Sequence, residues 1–298
     1  MDYTIENEIL KVKVSSHGAE LQSIVGKHIG NEYLWQADPE VWGRHAPVLF
    51  PIVGKLKNDE YRYQGKSYHM GQHGFARDMD FTLEEQSKEK LTFLLTDTEE
   101  TRAVYPFKFE FRVSYELLNN MIKESFQVTN KGDSDMIFGV GGHPGFNLPV
   151  EDGVNKDDFY LQINPAKPRV QVPLENGCLN WNKRSLAPTE SLITITDDLF
   201  KNDAMVLVMR HPDNKFSIKT ETSRFHINVR TDSAPYVGIW SQYPKTANYI
   251  CIEPWWGIAD LTDTDGDIEH KQGMNRLASG ESFDASFRMS FHSKVRSE

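Results

Sequence analysis

One imidazole stands in a stretch of backbone almost free of side chains, Gly141-Gly142-His143-Pro144-Gly145-Phe146-Asn147. Three glycines and a proline within five residues argue against an ordinary strand or helix interior and predict a sharp bend that lets another molecule approach His143. Histidine alone has an unperturbed pKa near neutrality, so one displayed this way is a candidate proton donor. The same residues would also make a tight turn whose histidine merely packs. A second group with chemical capacity is Glu253, in Tyr249-Ile250-Cys251-Ile252-Glu253-Pro254-Trp255-Trp256-Gly257. A buried carboxylate costs several kcal/mol unless it is paired or protonated. Desolvation by indoles would raise its pKa into the range of a general base. The competing reading is a strand-end glutamate in water.

Three further segments put polar groups among aromatics. In Gly71-Gln72-His73-Gly74-Phe75-Ala76-Arg77-Asp78 a second histidine is flanked by glycines. His69 precedes His73 by four, a metal-binding spacing on a helix, but Gly71 and Gly74 oppose a helix and no Glu-x-x-His pattern joins them. Arg44 and Lys55 bracket the apolar, proline-punctuated run from Val41 to Leu56. Each suits a hydroxyl pair or an anion, or a surface salt bridge. Asp203, before the apolar run Ala204-Met205-Val206-Leu207, would cap a turn or accept sugar hydroxyls. The acidic run Asp263-Thr264-Asp265-Gly266-Asp267 lacks the register of a calcium loop and reads as a solvated turn.

The elements that must position these groups are strands. From Phe107 to Leu117 the odd positions are apolar and the even ones polar, a half-buried strand. Asn119-Asn120 would turn it into a partner carrying Ile122, Phe126 and Val128. Phe216-Ile218-Thr220 with Phe225-Ile227-Val229, the alternation from Phe283 to Phe291, and Leu10-Val12-Val14 repeat the pattern. Helical signals are weak and short: Asp38-Pro39-Glu40-Val41-Trp42 resembles an N-cap and first turn. No strand–helix–strand repeat carries a phosphate loop. Residues 151–158 read as a surface loop, and no linker divides the chain. The expectation is an all-β protein, one large antiparallel β-sandwich formed by residues 1–298 as a single domain.

Bulk composition narrows the partners. The formal charge is −10, from 33 Lys+Arg and 43 Asp+Glu, with no basic run, which disfavours nucleic acid and anionic membranes. Cys178 and Cys251 form no CxxC pair, and Cys251 in its apolar run is expected to pack. No signal-peptide core, no 18-residue apolar run and no Asn-x-Ser/Thr site occurs, so the cytoplasm is the simplest compartment. Oligomeric state is not legible.

Taken together, Pro47-Val48-Leu49-Phe50-Pro51 with Gly54-Lys55, Gln72-His73-Gly74-Phe75-Ala76-Arg77, His143-Pro144-Gly145-Phe146 and Glu253-Pro254-Trp255 resemble the aldose 1-epimerase (galactose mutarotase) family, in its LacX-like branch. They occur in the family's order across roughly residues 30–260. The resemblance implies a galactose mutarotase-like antiparallel supersandwich with a shallow open site. It implies His143 as general acid, Glu253 as general base, His73 as a second histidine near the sugar ring oxygen, and Asp203 as a hydroxyl-binding carboxylate. Lys55 falls where galactose mutarotases carry a substrate-binding arginine, so Arg44 or Arg77 would supply the fork of donors a lysine lacks. Trp255, Trp256 and Phe146 are candidates to stack on the sugar.

The implied chemistry is the interconversion of α and β anomers. A proton leaves the O1 hydroxyl, another reaches the ring oxygen O5, the ring opens, C1 rotates, and closure reverses both transfers. This requires an acid and a base but no nucleophile, metal or redox cofactor. The substrate would be a hexose, free or phosphorylated. The alternatives are a carbohydrate-binding protein without catalysis, a hexose-phosphate 1-epimerase, and a glycosidase using Asp203 and Glu253 as its carboxylate pair.

Overall fold

Antiparallel strands dominate the computed structural model, which describes residues 1–149, 154–221 and 225–292. A nine-stranded sheet is built around the expected pairs. Phe109–Leu118 turns at Asn119-Asn120 into Met121–Asn130, which pairs along its length with Ser282–His292. Lys215–Thr220 pairs with His226–Arg230, and the latter with Ser282–His292. A second sheet contains eight strands, with Tyr249–Trp256 near its centre, flanked on one side by Tyr236–Trp240. A three-stranded sheet, Asp2–Glu6, Leu10–Ser15 and Leu21–Gly26, lies beside these two.

The core follows from the period-two alternation. Phe109, Phe111, Val113, Tyr115 and Leu117 from one sheet and Val48, Val140, Ile250, Ile252 and Trp256 from the other belong to one continuous apolar cluster. Phe126 meets Trp256 edge to face across it, with ring centroids 6.2 Å apart. The core-facing residues of Tyr249–Trp256 are therefore the even ones, and Cys251, Glu253 and Trp255 point the opposite way.

Two local expectations are corrected. Asp38–Trp42 is a single turn, not the start of a helix: the N–H groups of Val41 and Trp42 both donate to the Asp38 carbonyl, and the chain then straightens. Gly43 follows, a poor helix residue, and the Trp42 ring is committed to packing elsewhere. The glycines around His143 do lie in strands, Val140–Gly142 and Gly145–Asn147. What demands glycine there is close packing. A Cβ at Gly141 would come within 2.9 Å of the Pro254 carbonyl oxygen, one at Gly142 within 2.7 Å of the Phe287 ring, and one at Gly145 within 2.9 Å of the Trp42 ring. Of the expected loop at 151–158, residues 151–153 lie outside the described residues, and Lys156–Asp158 forms a short 3-10 turn.

A carboxylate breaks the alternation. Glu124 occupies a core-facing position between Ile122 and Phe126 and is buried. Burial raises its pKa to about 8, against a smaller opposing effect of Tyr115. The folded chain thus keeps a proton that the unfolded chain releases above the ordinary carboxyl range. Stability must fall as pH rises from about 4.5 towards 8, by an amount on the order of a few kcal/mol. Urea unfolding between pH 5 and 8 should show this loss, and Glu124→Gln should flatten it; an unchanged slope in the variant would rule out Glu124 as its source.

Candidate active site

Hydrogen bonding of the central strand is interrupted on one side, and the interruption creates the site. Val140–Gly142 pairs with Trp255 and Trp256, and Gly145–Asn147 pairs with Tyr249 to Cys251. Between them the chain leaves the ladder at His143-Pro144. The N–H of Ile252 donates to the Pro144 carbonyl, so the next main-chain nitrogen on that side is that of Pro254, which has no hydrogen to donate. A proline is therefore tolerated in the middle of a sheet. The corner turns the His143 imidazole onto the Glu253 carboxyl, with Nε2 3.1 Å from Oε2. Gly238 lies opposite Glu253 on the other flank, where a Cβ would come within 2.4 Å of the Trp255 indole.

Both groups are buried, His143 to 7% and Glu253 to 1% exposure. They sit in the wall of a cavity of about 530 Å³, within the range of small-molecule sites. Trp42 stacks on the His143 ring at 5.0 Å, and Trp240 meets it edge-on at 5.7 Å. The His143–Glu253 contact is not aligned as a hydrogen bond: Glu253 Oε2, His143 Nδ1 and Trp255 Nε1 are buried without partners among the described residues. Unsatisfied buried polar atoms are costly and mark a place where a polar ligand would be stabilised.

Electrostatics pushes both groups toward their neutral forms. Burial drives the His143 pKa down to about 3, and the positive Arg77 and Arg44 act in the same direction. Burial raises Glu253 well above the carboxylate range, with Asp203 adding to the effect and Trp255 opposing it. A neutral imidazole beside a protonated carboxyl holds the same number of protons as an imidazolium–carboxylate pair. Either way the pair has one proton to give and one site to receive.

His73 approaches from another element. It adopts a left-handed φ of +68°, and its Nδ1 accepts the Gly54 N–H at 3.1 Å. Burial keeps it neutral, with the neighbouring His143 acting in the same sense. With Nδ1 an acceptor, the neutral tautomer carries its proton on Nε2. Gly74 next to it has φ +73°, and a Cβ there would lie 2.3 Å from the Phe50 carbonyl oxygen. The His73 and His143 rings lie nearly perpendicular, with centroids 5.5 Å apart.

Of the residues expected to act together, His143, Glu253, His73, Asp203, Lys55, Arg77 and Trp255 all line this one cavity. Arg44 does not; its guanidinium bonds to Asp78 at 2.8 Å. Trp256 and Phe146 also do not, since both face the apolar core. The His69–His73 metal spacing is not realised: His69 is exposed beside Glu60. Trp42, Trp240, Gln72, Gln242 and Tyr243 also line the cavity and are not singled out by the sequence reading. Trp42 lies inside the Val41–Leu56 segment, where the signal is its aromatic ring beside Arg44. Trp240 ends the uniformly apolar strand Tyr236–Trp240 and offers no such signal.

Glu20, also not foreseen, holds the loop that carries Trp42. Its Oε1 accepts the N–H groups of His45 and Ala46 at 2.9 and 2.8 Å, and the His45 carbonyl in turn accepts the N–H of Gly145. Glu20→Ala leaves two donors without their acceptor and should cost about 2 kcal/mol or more by urea unfolding. Glu20→Gln, which keeps an acceptor oxygen, should cost less; equal losses would argue that packing rather than these bonds is at stake.

Known proteins resemble this chain in sequence and in fold. A family model described as aldose 1-epimerase matches residues 1–272. The chromosomally encoded protein LacX of Lactococcus lactis subsp. lactis is 33% identical over 287 residues, 93% of this chain and 95% of that protein. The crystal structure of a galactose mutarotase related enzyme from Lactobacillus acidophilus superposes with a TM-score of 0.98 at 62% identity, covering 99% of each chain. A galactose mutarotase-like protein from Lactobacillus casei gives 0.88 at 31% identity, covering 98% of this chain and 100% of that one.

Proposed function

The chain belongs to the aldose 1-epimerase family, and we propose that it interconverts the α and β anomers of a hexose by acid–base opening and closure of the ring. The observation that carries this reading is the His143–Glu253 pair, buried and 3.1 Å apart in the wall of a cavity that also holds His73. In the proposed reaction Glu253 takes the O1 proton while His143 gives one to O5. The resting site keeps its proton on the carboxyl. Sugar hydroxyls that hydrogen-bond to Glu253 favour its ionised form and shift the proton to His143. Ring opening then moves one proton from His143 to O5 and another from O1 to Glu253. Closure after rotation about C1 runs the two transfers backwards, and the pair ends where it began.

The remaining groups have binding roles in this reading. His73 offers its Nε2–H to an oxygen of the sugar. Asp203 and Lys55 hold hydroxyls, and Arg77 contributes a planar donor set. Trp255 lines the cavity and offers an aromatic surface to an apolar sugar face. The reading makes no use of a nucleophile or of a redox cofactor.

Two outcomes test it. The purified protein should accelerate the optical-rotation decay of fresh α-D-galactose or α-D-glucose, and Glu253→Gln and His143→Asn should each lower that rate about 100-fold or more. Full activity in both variants would remove these residues from the mechanism. Activity also needs the pair to hold a single transferable proton, so it is lost in acid when both groups are protonated and in alkali when neither is. Because burial lowers one pKa and raises the other, kcat/KM should form a broad plateau. Its acid limb should lie below the ordinary histidine value of 6.5 and its alkaline limb above the ordinary glutamate value of 4.5. A single limb centred on an unperturbed histidine would contradict the assignment.

A further inference from the structure

Behind the acid–base pair lies a third group that the proposed reaction leaves unused. Cys251 precedes Glu253 by two residues on the same strand, so its side chain shares the face that carries the carboxyl. It is free and fully buried. Its Sγ, a nitrogen of His143 and a carboxyl oxygen of Glu253 all lie within 4.8 Å of one another. Bond lengths of about 2.0 to 2.3 Å to zinc place tetrahedral ligands roughly 3.3 to 3.8 Å apart, so side-chain adjustments of about 1 Å would close the set.

We propose that His143, Cys251 and Glu253 form a binding site for a thiophilic divalent cation of the Zn²⁺ class, which occupies the acid–base pair and inhibits it. Sulfur, imidazole and carboxylate are the donors Zn²⁺ prefers. Glu253 Oε2 is also buried without a hydrogen-bond partner among the described residues, an acceptor that a cation would satisfy. Charge favours the complex. On binding, the thiol and the carboxyl each release a proton to solvent, and the two resulting negative charges cancel the two positive charges of the cation. A neutral assembly then replaces a charge that burial alone would penalise. His143 and Glu253 line the cavity through which the ion enters, water completes the shell, and the bound ion displaces a sugar from the pair. The site is inhibitory rather than catalytic because it consumes both proton-transfer groups. The inhibition rests on the epimerase reading, whereas the binding does not.

The test reads the metal directly. Cobalt(II) added to the wild-type protein should produce the absorption band of thiolate-to-cobalt charge transfer, and Zn²⁺ should abolish it. Calorimetry should give one Zn²⁺ per chain at this site, competing with D-galactose. In Cys251→Ala the band should be absent and Zn²⁺ affinity weakened about tenfold or more. No cobalt–thiolate band in the wild-type protein, or an unchanged Zn²⁺ affinity in Cys251→Ala, overturns the proposal. The wild-type spectrum decides the matter even if the variant does not fold. Because neither readout needs turnover, a protein that binds Zn²⁺ but fails to mutarotate would count against the epimerase reading alone.

Discussion

Burial of two opposite ionisable groups against each other is the constraint on which this molecule turns. Water would let His143 and Glu253 titrate independently, each near its ordinary value. At 7% and 1% exposure neither can carry an isolated charge cheaply, so the two must hold one proton between them. Much of the surrounding architecture serves this arrangement. The tryptophans at 42 and 240 cover the imidazole, and Trp255 flanks the carboxyl on its own strand. Arg44 and Arg77 add positive potential that resists a second proton on the pair.

The sheet provides the position. A continuous ladder along Tyr249–Trp256 would pair its backbone and leave no gap through which a histidine from the adjacent strand segment could reach Glu253. The break at His143-Pro144 supplies the gap, and Pro254 occupies the one nearby position where a missing N–H costs no bond. The glycines on either side of the corner let the flanking strands lie against Pro254, Phe287 and Trp42. Even positions of the central strand hold the sandwich together while Cys251, Glu253 and Trp255 face away from its core. The proposed chemistry thus shares its strand with the sandwich core but not the core-facing side.

Most of this was legible from residue order. The alternation from Phe107 onward, the Asn119-Asn120 turn and the paired strands at 216–229 are period-two signals that the tertiary structure keeps. The site motifs were legible because glycine-flanked histidines and a tryptophan-flanked glutamate are unusual locally. What the sequence did not disclose depends on contacts between distant segments. The glycines beside His143 looked like room for a ligand, and they are room for Trp255, Phe287 and Trp42, none of which is a sequence neighbour. Arg44 suited a sugar-binding fork or a surface salt bridge, and the choice between them lies with Asp78, thirty-four positions away. Glu124 was hidden for a different reason: between Ile122 and Phe126, a lone carboxylate reads as an exception to the pattern, yet its side chain is buried like its neighbours'.

The shared proton can be counted directly. At pH 7, the ¹⁵N shifts of the His143 ring together with the carboxyl stretching band that disappears in Glu253→Gln report the protonation of both groups in the free protein. The account predicts a neutral imidazole and a protonated carboxyl, a single transferable proton in the pair. A neutral imidazole beside an ionised carboxylate, or an imidazolium beside a protonated carboxyl, would contradict it.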